Sequence, residues 1–590
     1  MTRSAVILLA FVSAPLLAAE SEKPRLVVLI VFDQMRGDYI AKWQPLFGKD
    51  GFARLQSEGA WYTNCHYPYS ITATGPGHSS MLTGCGPDVH GIIGNNWYDR
   101  KSGSVVNCSE STRYTRIPPI AKDLPKEELI DEPQDLEVKN KKDEEPSIKD
   151  TTPAKPVVRA YGTSDRLLAP TFGDALKGAT GGKGKAIGLS FKDRSAVLPV
   201  GAKADGAYWV DSTDGMIVSS TFFRDTVHPW VAELNKKRAA DAWFNTVWKH
   251  DRPELDYAKL AGPDVVNGEG KGVRQGSTFP HPMNGGLKRP GKSYYEALAN
   301  SPFGNEFLLQ LAKDAIVAEK LGQDDVPDLL SVSFSSNDLV GHAWGPDSQE
   351  VLDITLRSDR ILADLLKFLD EKVGKGKYLV CLTADHGVCP LPELSAKRGL
   401  NAHRLPVRKV LAQGEEFLHA EFDRDSKLDP KARFIENVTG HWVYLNHKLI
   451  ESMKLRNADV AHALARFVER FDGIDRCFTR TDLDQPADAY DAIGKRMRKA
   501  YHPDRSGDLA IVLKPYWLES DPQYSTGTSH GSPHPYDTHV PLLVFGPNVK
   551  PGIRREEVVP ATIASIFAKA LGIAPPAKAE YPVPEGLFKE

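Results

Sequence analysis

The stretch "LVVLIVFD", residues 26–33, is a run of apolar residues that ends in an aspartate. Apolar runs of this length predict strands that are buried on both faces of a parallel sheet. Three further runs have the same design and also end in polar residues: "AIGLSFKDR" (186–194), "DLLSVSFSSND" (328–338) and "YLVCLTADHG" (378–387). The ligand crevice of such a sheet lies outside the carboxyl ends of its strands. We therefore expect the four polar ends to meet at one place.

Helical patterns separate these runs. Residues 305–321 and 353–373 repeat apolar side chains at helical spacing, and the second pattern leads directly into the strand at 378. Near the end of the chain, "HVPLLVFGP" predicts another strand and residues 559–573 predict a closing helix. The fold class is therefore α/β, with a mostly parallel central sheet flanked by helices.

The chain has 590 residues and a formal net charge of -3, which favours one large domain with insertions, or two domains, and shows no nucleic-acid-binding surface. We assign residues 20–590 to a catalytic domain. Three stretches lack the alternation of strand and helix patterns and are expected to be insertions. They are a charged, flexible segment at about 121–157 and two segments that decorate or cap the crevice, at about 200–300 and 390–520.

The first 19 residues are typical of a secretory signal peptide, with an early arginine, an apolar run and small residues before the cleavage point. The alternative is an uncleaved anchor, but the run is short for a span and Pro15 interrupts it. We expect a periplasmic or secreted protein without a transmembrane anchor after cleavage. An even number of cysteines permits disulfides of undetermined pairing: Cys65, Cys85, Cys108, Cys381, Cys389 and Cys477.

The polar strand ends, with one late segment, supply residues that bind metals. Three are aspartates and three are histidines: Asp33, Asp338, His342, Asp385, His386 and His530. Each alone has an ordinary explanation, such as a helix cap or a packed histidine. Carboxylate and imidazole ligands together suit zinc. Six ligands exceed one tetrahedral ion, so the set predicts two Zn²⁺ that each keep a position open for substrate or water.

Thr74 lies in "TATGPGHSSMLTG", residues 72–84, where a short helix is predicted to begin. A threonine hydroxyl is a poor nucleophile unless a metal or a helix N-terminus favours its ionised form. Gly75 and Gly77 would let backbone and substrate approach closely. The alternative is that Thr74 only caps the helix. Beside the metal set, we interpret it as the nucleophile.

Several motifs, taken together and in order, resemble the alkaline phosphatase superfamily, and within it the threonine-nucleophile, phosphate-irrepressible (PafA-type) alkaline phosphatases. The motifs are "FDQMRGD", "TATGPGHSSMLTG", "VHGIIGNNWYD", "SFKDR", "NDLVGH", "TADHG" and "GTSHGS…YDTHVPLL". The resemblance runs from about residue 24 to about residue 575. It implies a three-layer sandwich with cap insertions that acts as a monomer on a broad range of small-molecule phosphate monoesters.

The resemblance also implies a role for each matching position. Thr74 corresponds to the residue that is phosphorylated and then hydrolysed. One zinc is held by Asp33, Asp385 and His386, and the other by Asp338, His342 and His530. Asn95, Lys192 and Arg194 correspond to the residues that hold the phosphoryl oxygens.

The chemistry of these last three residues supports that role independently. A phosphate monoester is a dianion, for which arginine offers a bidentate fork, lysine a point charge and asparagine an amide donor. Lys192 and Arg194 would face the same side of a strand end, although a solvated strand end is the alternative. His534 and His539 lie near His530, and we choose His530 because it occupies the position that matches the family.

Three other functions compete with this interpretation. A phosphodiesterase or nucleotide pyrophosphatase of the same superfamily would share the metals and the threonine but should lack the pair Lys192 and Arg194. A sulfatase needs C-x-P-x-R, and the stretch that begins at Cys85 fails at Val89. A binding protein that uses an inactive phosphatase fold should have lost a metal-ligating residue or the nucleophile, yet the expected residue type is present at every one of these positions.

Overall fold

The computed structural model describes residues 23–130, 161–425, 428–429, 431–485, 491–520 and 525–589. The predicted signal peptide and residues 131–157 of the predicted charged insertion lie outside these ranges. In chain order the strands are β1 (Leu26–Phe32), β2 (Ala60–His66), β3 (Asn96–Asp99), β4 (Ser104–Asn107), β5 (Glu110–Ser111), β6 (Arg116–Ile117), β7 (Tyr161–Gly162), β8 (Ala186–Ser190), β9 (Gly206–Asp211), β10 (Met216–Ser220), β11 (Val247–Trp248), β12 (His281–Pro282), β13 (Asp328–Phe334), β14 (Tyr378–Thr383), β15 (Arg404–Leu405), β16 (Ile435–Thr439), β17 (Trp442–Leu445), β18 (Ile474–Thr479), β19 (Leu509–Leu513), β20 (Leu518–Glu519), β21 (His539–Phe545) and β22 (Gly552–Arg554).

Helices connect and flank these strands. They are α1 (Tyr39–Trp43), α2 (Phe52–Glu58), α3 (Thr74–Thr83), α4 (Pro87–His90), α5 (Phe172–Ala179), α6 (Asp193–Val197), α7 (Pro229–Lys236), α8 (Tyr257–Ala261), α9 (Lys292–Ala299), α10 (Pro302–Ala318), α11 (Ser336–Trp344), α12 (Gln349–Leu369), α13 (Pro392–Lys397), α14 (Val407–Phe422), α15 (His447–Ser452), α16 (Asn457–Val468), α17 (Arg480–Leu483), α18 (Ala492–Ala500), α19 (Pro535–Thr538) and α20 (Thr562–Leu571). Among the described residues, no helix is both long and apolar enough to span a bilayer.

Within the described chain, ten strands form one mixed sheet in the order β22-β2-β21-β14-β1-β13-β8-β9-β10-β6. Its centre, from β14 through β1, β13 and β8 to β9, is parallel. The register pairs Leu26 with both Asp328 and Tyr378, so β1, β13 and β14 start level and end at the same edge. All residues of these three strands are buried. The predicted α/β class with a mostly parallel sheet is confirmed.

Two long helices flank this sheet. Each begins a few residues earlier in the sequence than the apolar pattern predicted. Helix α10 begins at Pro302, where the missing N–H costs no helical hydrogen bond. Helix α12 begins after Ser348, whose hydroxyl accepts the Val351 N–H at 3.1 Å. The late strand and the closing helix are also present, as β21 and α20.

A smaller sheet, in the order β16-β17-β19-β18, has an apolar core of its own, to which α14 and α16 contribute. It falls inside the segment 390–520 that was expected to decorate the main sheet. The segment at 200–300 was also expected to decorate the main sheet, but part of it belongs to that sheet, because β9 and β10 are two of its strands. Residues 206–220 are therefore part of the central framework, which the apolar patterns did not predict.

The six cysteines are all buried and none forms a disulfide. The pairing that an even number of cysteines permits is therefore not realised in this structure. Cys65 and Cys381 lie within β2 and β14, where they pack as small apolar side chains.

Candidate metal and phosphoryl-transfer site

The carboxyl ends of the parallel strands bring the predicted site residues together. Asp33 directly follows β1, and Asp385 and His386 follow β14. Asp338 was predicted at the end of a strand, but β13 ends at Phe334 and Asp338 lies in the first turn of α11. This helix places His342 one turn after Asp338, on the same face.

Asp338, His342 and His530 form one group of metal-capable side chains whose ligand atoms all lie within 4.8 Å of one another. The His342 Nε2 atom is 3.2 Å and the His530 Nε2 atom 3.8 Å from Asp338 Oδ1. The opposite nitrogens donate to main-chain carbonyls, His342 Nδ1 to Thr528 at 2.6 Å and His530 Nδ1 to Thr72 at 2.7 Å. Such second bonds fix the ring orientation and leave Nε2 as a ligand.

A second group contains Asp33, Asp338 and His386. The His386 Nε2 atom lies 3.6 Å from Asp33 Oδ1 and 3.3 Å from Asp385 Oδ2. The ring of His386 stacks on that of His530 with 3.5 Å between ring centroids, so the two groups adjoin. The resemblance assigned Asp385 rather than Asp338 to this group. The geometry places Asp338 between both groups and Asp385 at the edge of the second.

Unpartnered polar atoms test whether these residues fit metal ions. Asp33 Oδ1, Asp385 Oδ2 and His386 Nε2 are buried and make no hydrogen bond in the described structure, although His78 Nδ1 lies 3.2 Å from Asp385 Oδ2 as an ion-pair contact. A buried lone pair without a partner costs free energy, and here three of them converge. Carboxylate oxygens and imidazole nitrogens are the donors that zinc accepts. The residues present therefore fit a metal centre.

The protein's own charges leave this cluster short of positive charge. Burial raises the pKa of Asp33, and the neighbouring charge of Asp385 raises it further. Burial also opposes ionisation of Asp385, but His386 and His78 outweigh it and hold the pKa of Asp385 below its usual value. A bound cation would reduce the repulsion between these neighbouring carboxylates and favour the ionised form of both.

Lys192 is a cation of this site that the sequence led us to place on the phosphoryl oxygens. Its ammonium lies 2.7 Å from Asp33 Oδ2 and 2.6 Å from Asp338 Oδ2. Burial lowers the pKa of Lys192, but these two carboxylates outweigh burial and raise it, so the side chain stays charged. Lys192 thus links the two aspartates on which the metal groups depend.

Arg194 was expected to share the face of a strand end with Lys192. The strand β8 ends at Ser190, and Arg194 instead lies in α6, directly after Lys192 and Asp193. Its Nε atom is buried and has no hydrogen-bond partner among the described residues. The guanidinium therefore keeps a donor for a ligand, although the strand geometry that we used to predict this does not apply.

Thr74 is the first residue of α3 and is buried. Ala73, with extended backbone angles, occupies the N-cap position, so the alternative that Thr74 only caps the helix is wrong. The Asn95 Oδ1 atom accepts the Gly75 N–H at 2.8 Å, which holds the asparagine amide beside the start of the helix. The positive end of the α3 dipole is therefore directed at Thr74 and Asn95.

Two residues that sequence patterns did not single out hold this arrangement together. The Gln34 main-chain N–H donates to Asp385 Oδ1 at 3.0 Å, and its side-chain Nε2 donates to Asp338 Oδ1 at 2.7 Å. The His78 Nδ1 atom lies 3.2 Å from Asp385 Oδ2 and 3.0 Å from the Thr74 carbonyl oxygen. Only the three-dimensional contacts reveal these roles.

Comparison with known proteins identifies the family. The model of the type I phosphodiesterase / nucleotide pyrophosphatase family matches residues 27–160 and 190–536. The alkaline phosphatase PhoV of Synechococcus elongatus is 33% identical over 94% of this chain and 91% of its own length. The alkaline phosphatase PafA of Elizabethkingia meningoseptica is 31% identical over 94% of this chain and 93% of its own length.

A solved structure agrees with these matches. The crystal structure of wild-type alkaline phosphatase PafA superposes with a TM-score of 0.81 at 29% sequence identity and covers 96% of this chain and 99% of that chain. Another structure, of a PafA variant with one threonine, one asparagine, one lysine and one arginine substituted, matches equally well. The chain therefore belongs to the type I phosphodiesterase / nucleotide pyrophosphatase family within the alkaline phosphatase superfamily, is of the PafA type, and is a hydrolase of phosphate esters.

Proposed function

We propose that the chain is a zinc-dependent alkaline phosphatase that hydrolyses phosphate monoesters through phosphorylated Thr74. One observation carries the proposal: Thr74 begins a buried helix beside a cluster of carboxylates and imidazoles whose unpartnered atoms converge. We assign two Zn²⁺ to the cluster, held by Asp33, Asp385 and His386 and by Asp338, His342 and His530. When bound, zinc supplies positive charge for the ionised threonine and the departing oxygen.

The residues of the chain support a two-step transfer. The Thr74 hydroxyl loses its proton to solvent, and its oxygen bonds to phosphorus as the ester P–O bond breaks. The alkoxide leaves with the bonding electrons and takes up a proton to become the alcohol. Water then cleaves phospho-Thr74 and returns free threonine and inorganic phosphate. Asn95 and Arg194 hold the phosphoryl oxygens, and Lys192, which pairs with Asp33 and Asp338, has a third N–H for the same group. Positioning and charge do most of this work.

Spacing in the variant PafA structure supports the assigned residues. The substituted threonine and asparagine are 21 positions apart and the substituted lysine and arginine are 2 apart. Thr74 and Asn95, and Lys192 and Arg194, have the same two spacings in this chain. We therefore assign Asn95, Lys192 and Arg194 to recognition of the phosphoryl group. The first 19 residues support export to the periplasm or beyond, and we propose that the enzyme acts as a monomer.

Replacement of Thr74 tests the intermediate. We expect Thr74→Ala to lower kcat/KM for a phosphate monoester at least about a thousandfold, because no other hydroxyl begins α3. Thr74→Ser keeps the hydroxyl and serves as the matched control. Mass spectrometry of acid-quenched wild-type enzyme should locate the phosphate on Thr74. Unchanged hydrolysis by Thr74→Ala would rule out this nucleophile.

A phosphodiesterase or nucleotide pyrophosphatase is the second candidate, and the description of the matching family model favours it. A diester carries one negative charge less and one substituent more than a monoester. The cations Lys192 and Arg194 favour the monoester.

A further inference from the structure

A cavity of about 540 Å³ opens beside the site, and the mechanism described above gives it no function. Lys192 and His342 lie at its inner end, whereas Thr74, Asp385 and His386 do not line it. The cavity therefore opens from the Asp338, His342 and His530 group. Its size is that of pockets that enclose small organic ligands.

The position of Thr74 sets the direction in which a substrate must lie. Helix α3 packs against the Asp385 side of the site, because a Cβ atom on Gly77 would lie 2.2 Å from the Asp385 carbonyl oxygen. In an in-line transfer the ester oxygen departs on the face of phosphorus opposite the attacking oxygen. His342 lines the cavity and Thr74 does not, so we assign the cavity to that face.

The walls of the cavity indicate what it accepts. Phe191, Val210 and Tyr295 are buried and give it an apolar lining. Lys271, also in the lining, is exposed, and no hydrogen bond or ion pair joins its ammonium to another residue in the described ranges. The acid of the lining, Glu296, pairs with Lys292 at 3.6 Å, which offsets its charge. The loop that carries it is fixed, because the Gly270 N–H donates to the carbonyl oxygen of Ala343, next to His342, at 2.7 Å.

We propose that this cavity binds the alcohol part of the monoester and favours ring-containing alcohols that carry an anionic group over small neutral alcohols. The inference rests on the proposed phosphatase function and names its substrate class. The apolar walls contact the ring next to the phosphate, and Lys271 pairs with the anionic group at the outer end.

Charge recognition is tested with phenyl phosphate and 4-carboxyphenyl phosphate. We expect Lys271→Ala to lower the ratio of kcat/KM for the carboxylated ester to that for phenyl phosphate about threefold, which is typical of an exposed ion pair. Comparing the variant with wild type cancels the intrinsic reactivity of the two esters. Lys236→Ala, which removes an exposed lysine of α7, should leave the ratio unchanged. An unchanged ratio in Lys271→Ala would overturn the role of this lysine.

Shape recognition is tested at Ala299, the last residue of α9, which lines the cavity. We expect Ala299→Phe to lower kcat/KM for phenyl phosphate about tenfold and to change that for methyl phosphate less than about twofold. If the phenylalanine prevents folding, Ala299→Leu gives the same comparison with a smaller effect. Equal changes for both esters, or none, would overturn the cavity as the subsite. A wild-type enzyme that hydrolyses neither ester would instead overturn the proposed function, and this inference with it.

Discussion

At the scale of single residues, Gln34 connects the two candidate metal groups. Its φ angle of 68° lies in the left-handed region, which is costly for a side chain of this kind. The surrounding structure accommodates it: Gly341 lacks a Cβ, and one built there would lie 1.9 Å from Gln34 Oε1. This backbone angle aims the main-chain N–H at Asp385 and the side chain at Asp338. The strained backbone of Gln34 therefore has a structural purpose: it orients Asp385 and Asp338, two candidate metal ligands.

We predict that Gln34→Asn weakens zinc binding about tenfold or more, because loss of a partner next to a metal ligand has effects of this size. Asparagine tolerates the left-handed backbone but is too short to reach Asp338, so the substitution separates side-chain contact from strain. Competition with a zinc chelator measures the affinity. Gln310→Asn, in the exposed part of α10, is the matched control. Wild-type affinity in Gln34→Asn would show that Asp338 needs no such support.

At the scale of elements, α3 depends on two glycines. We expect Gly75 and Gly77 to let backbone and substrate approach closely, and the structure shows the approach of protein at both. A Cβ on Gly75 would lie 2.9 Å from Cys108 Sγ, and one on Gly77 would lie 2.2 Å from the Asp385 carbonyl oxygen. The nucleophile helix is thereby seated on the segment that carries Asp385 and His386.

We predict that Gly77→Ala lowers the free energy of unfolding by about 1–3 kcal/mol, because the added methyl group overlaps a backbone oxygen that cannot move freely. The accompanying shift of Thr74 should lower kcat/KM about a hundredfold. Gly178→Ala is the control, because Gly178 lies on the exposed side of α5 with nothing within 4 Å of an added Cβ. It should raise stability by about 0.5–1 kcal/mol. Denaturant unfolding and activity assays measure both variants, and a neutral Gly77→Ala would contradict this packing.

The difference between what was predictable and what was not has a physical basis. The strands β1, β8, β13 and β14 could be predicted because residues buried on both faces must be apolar along their whole length. Their common edge holds Asp33, Asp385 and His386, whereas Asp338 and His342 lie on α11 after β13 and His530 comes from the segment before α19. The strands β9 and β10, which pair antiparallel with each other, could not be predicted, nor could the helical position of Arg194 or the role of Gln34. Each depends on contacts with distant segments or on a backbone angle that composition does not reveal.

At the scale of the whole molecule, a half-buried acid outside the site, Glu269, makes stability depend on pH. Burial, aided by the charge of Glu350 and opposed by a hydrogen bond from the Val266 N–H, raises the pKa of Glu269 to about 8. The unfolded chain loses this proton near the ordinary value of 4.5, whereas the folded chain keeps it. Between these two pH values the folded state binds more protons, so this group lowers stability as pH rises.

We therefore predict that Glu269→Gln, whose amide resembles the protonated acid, gains stability relative to wild type as pH rises from 5 to 9. The difference in Tm between variant and wild type, measured by calorimetry at each pH, reports this gain. Glu585→Gln, at an exposed position, should show no such trend. A Tm difference that stays constant with pH would mean that Glu269 ionises alike in both states.

The central claim, that this site binds the dianion of a phosphate monoester, is tested most directly by one comparison of substrates. The measurement is the ratio of kcat/KM for p-nitrophenyl phosphate to that for bis-p-nitrophenyl phosphate, at alkaline pH, with zinc-loaded mature protein. We predict a ratio far above one, because Arg194, Lys192 and Asn95 favour the more highly charged ester. A ratio below one would contradict the account and identify the enzyme as a diesterase.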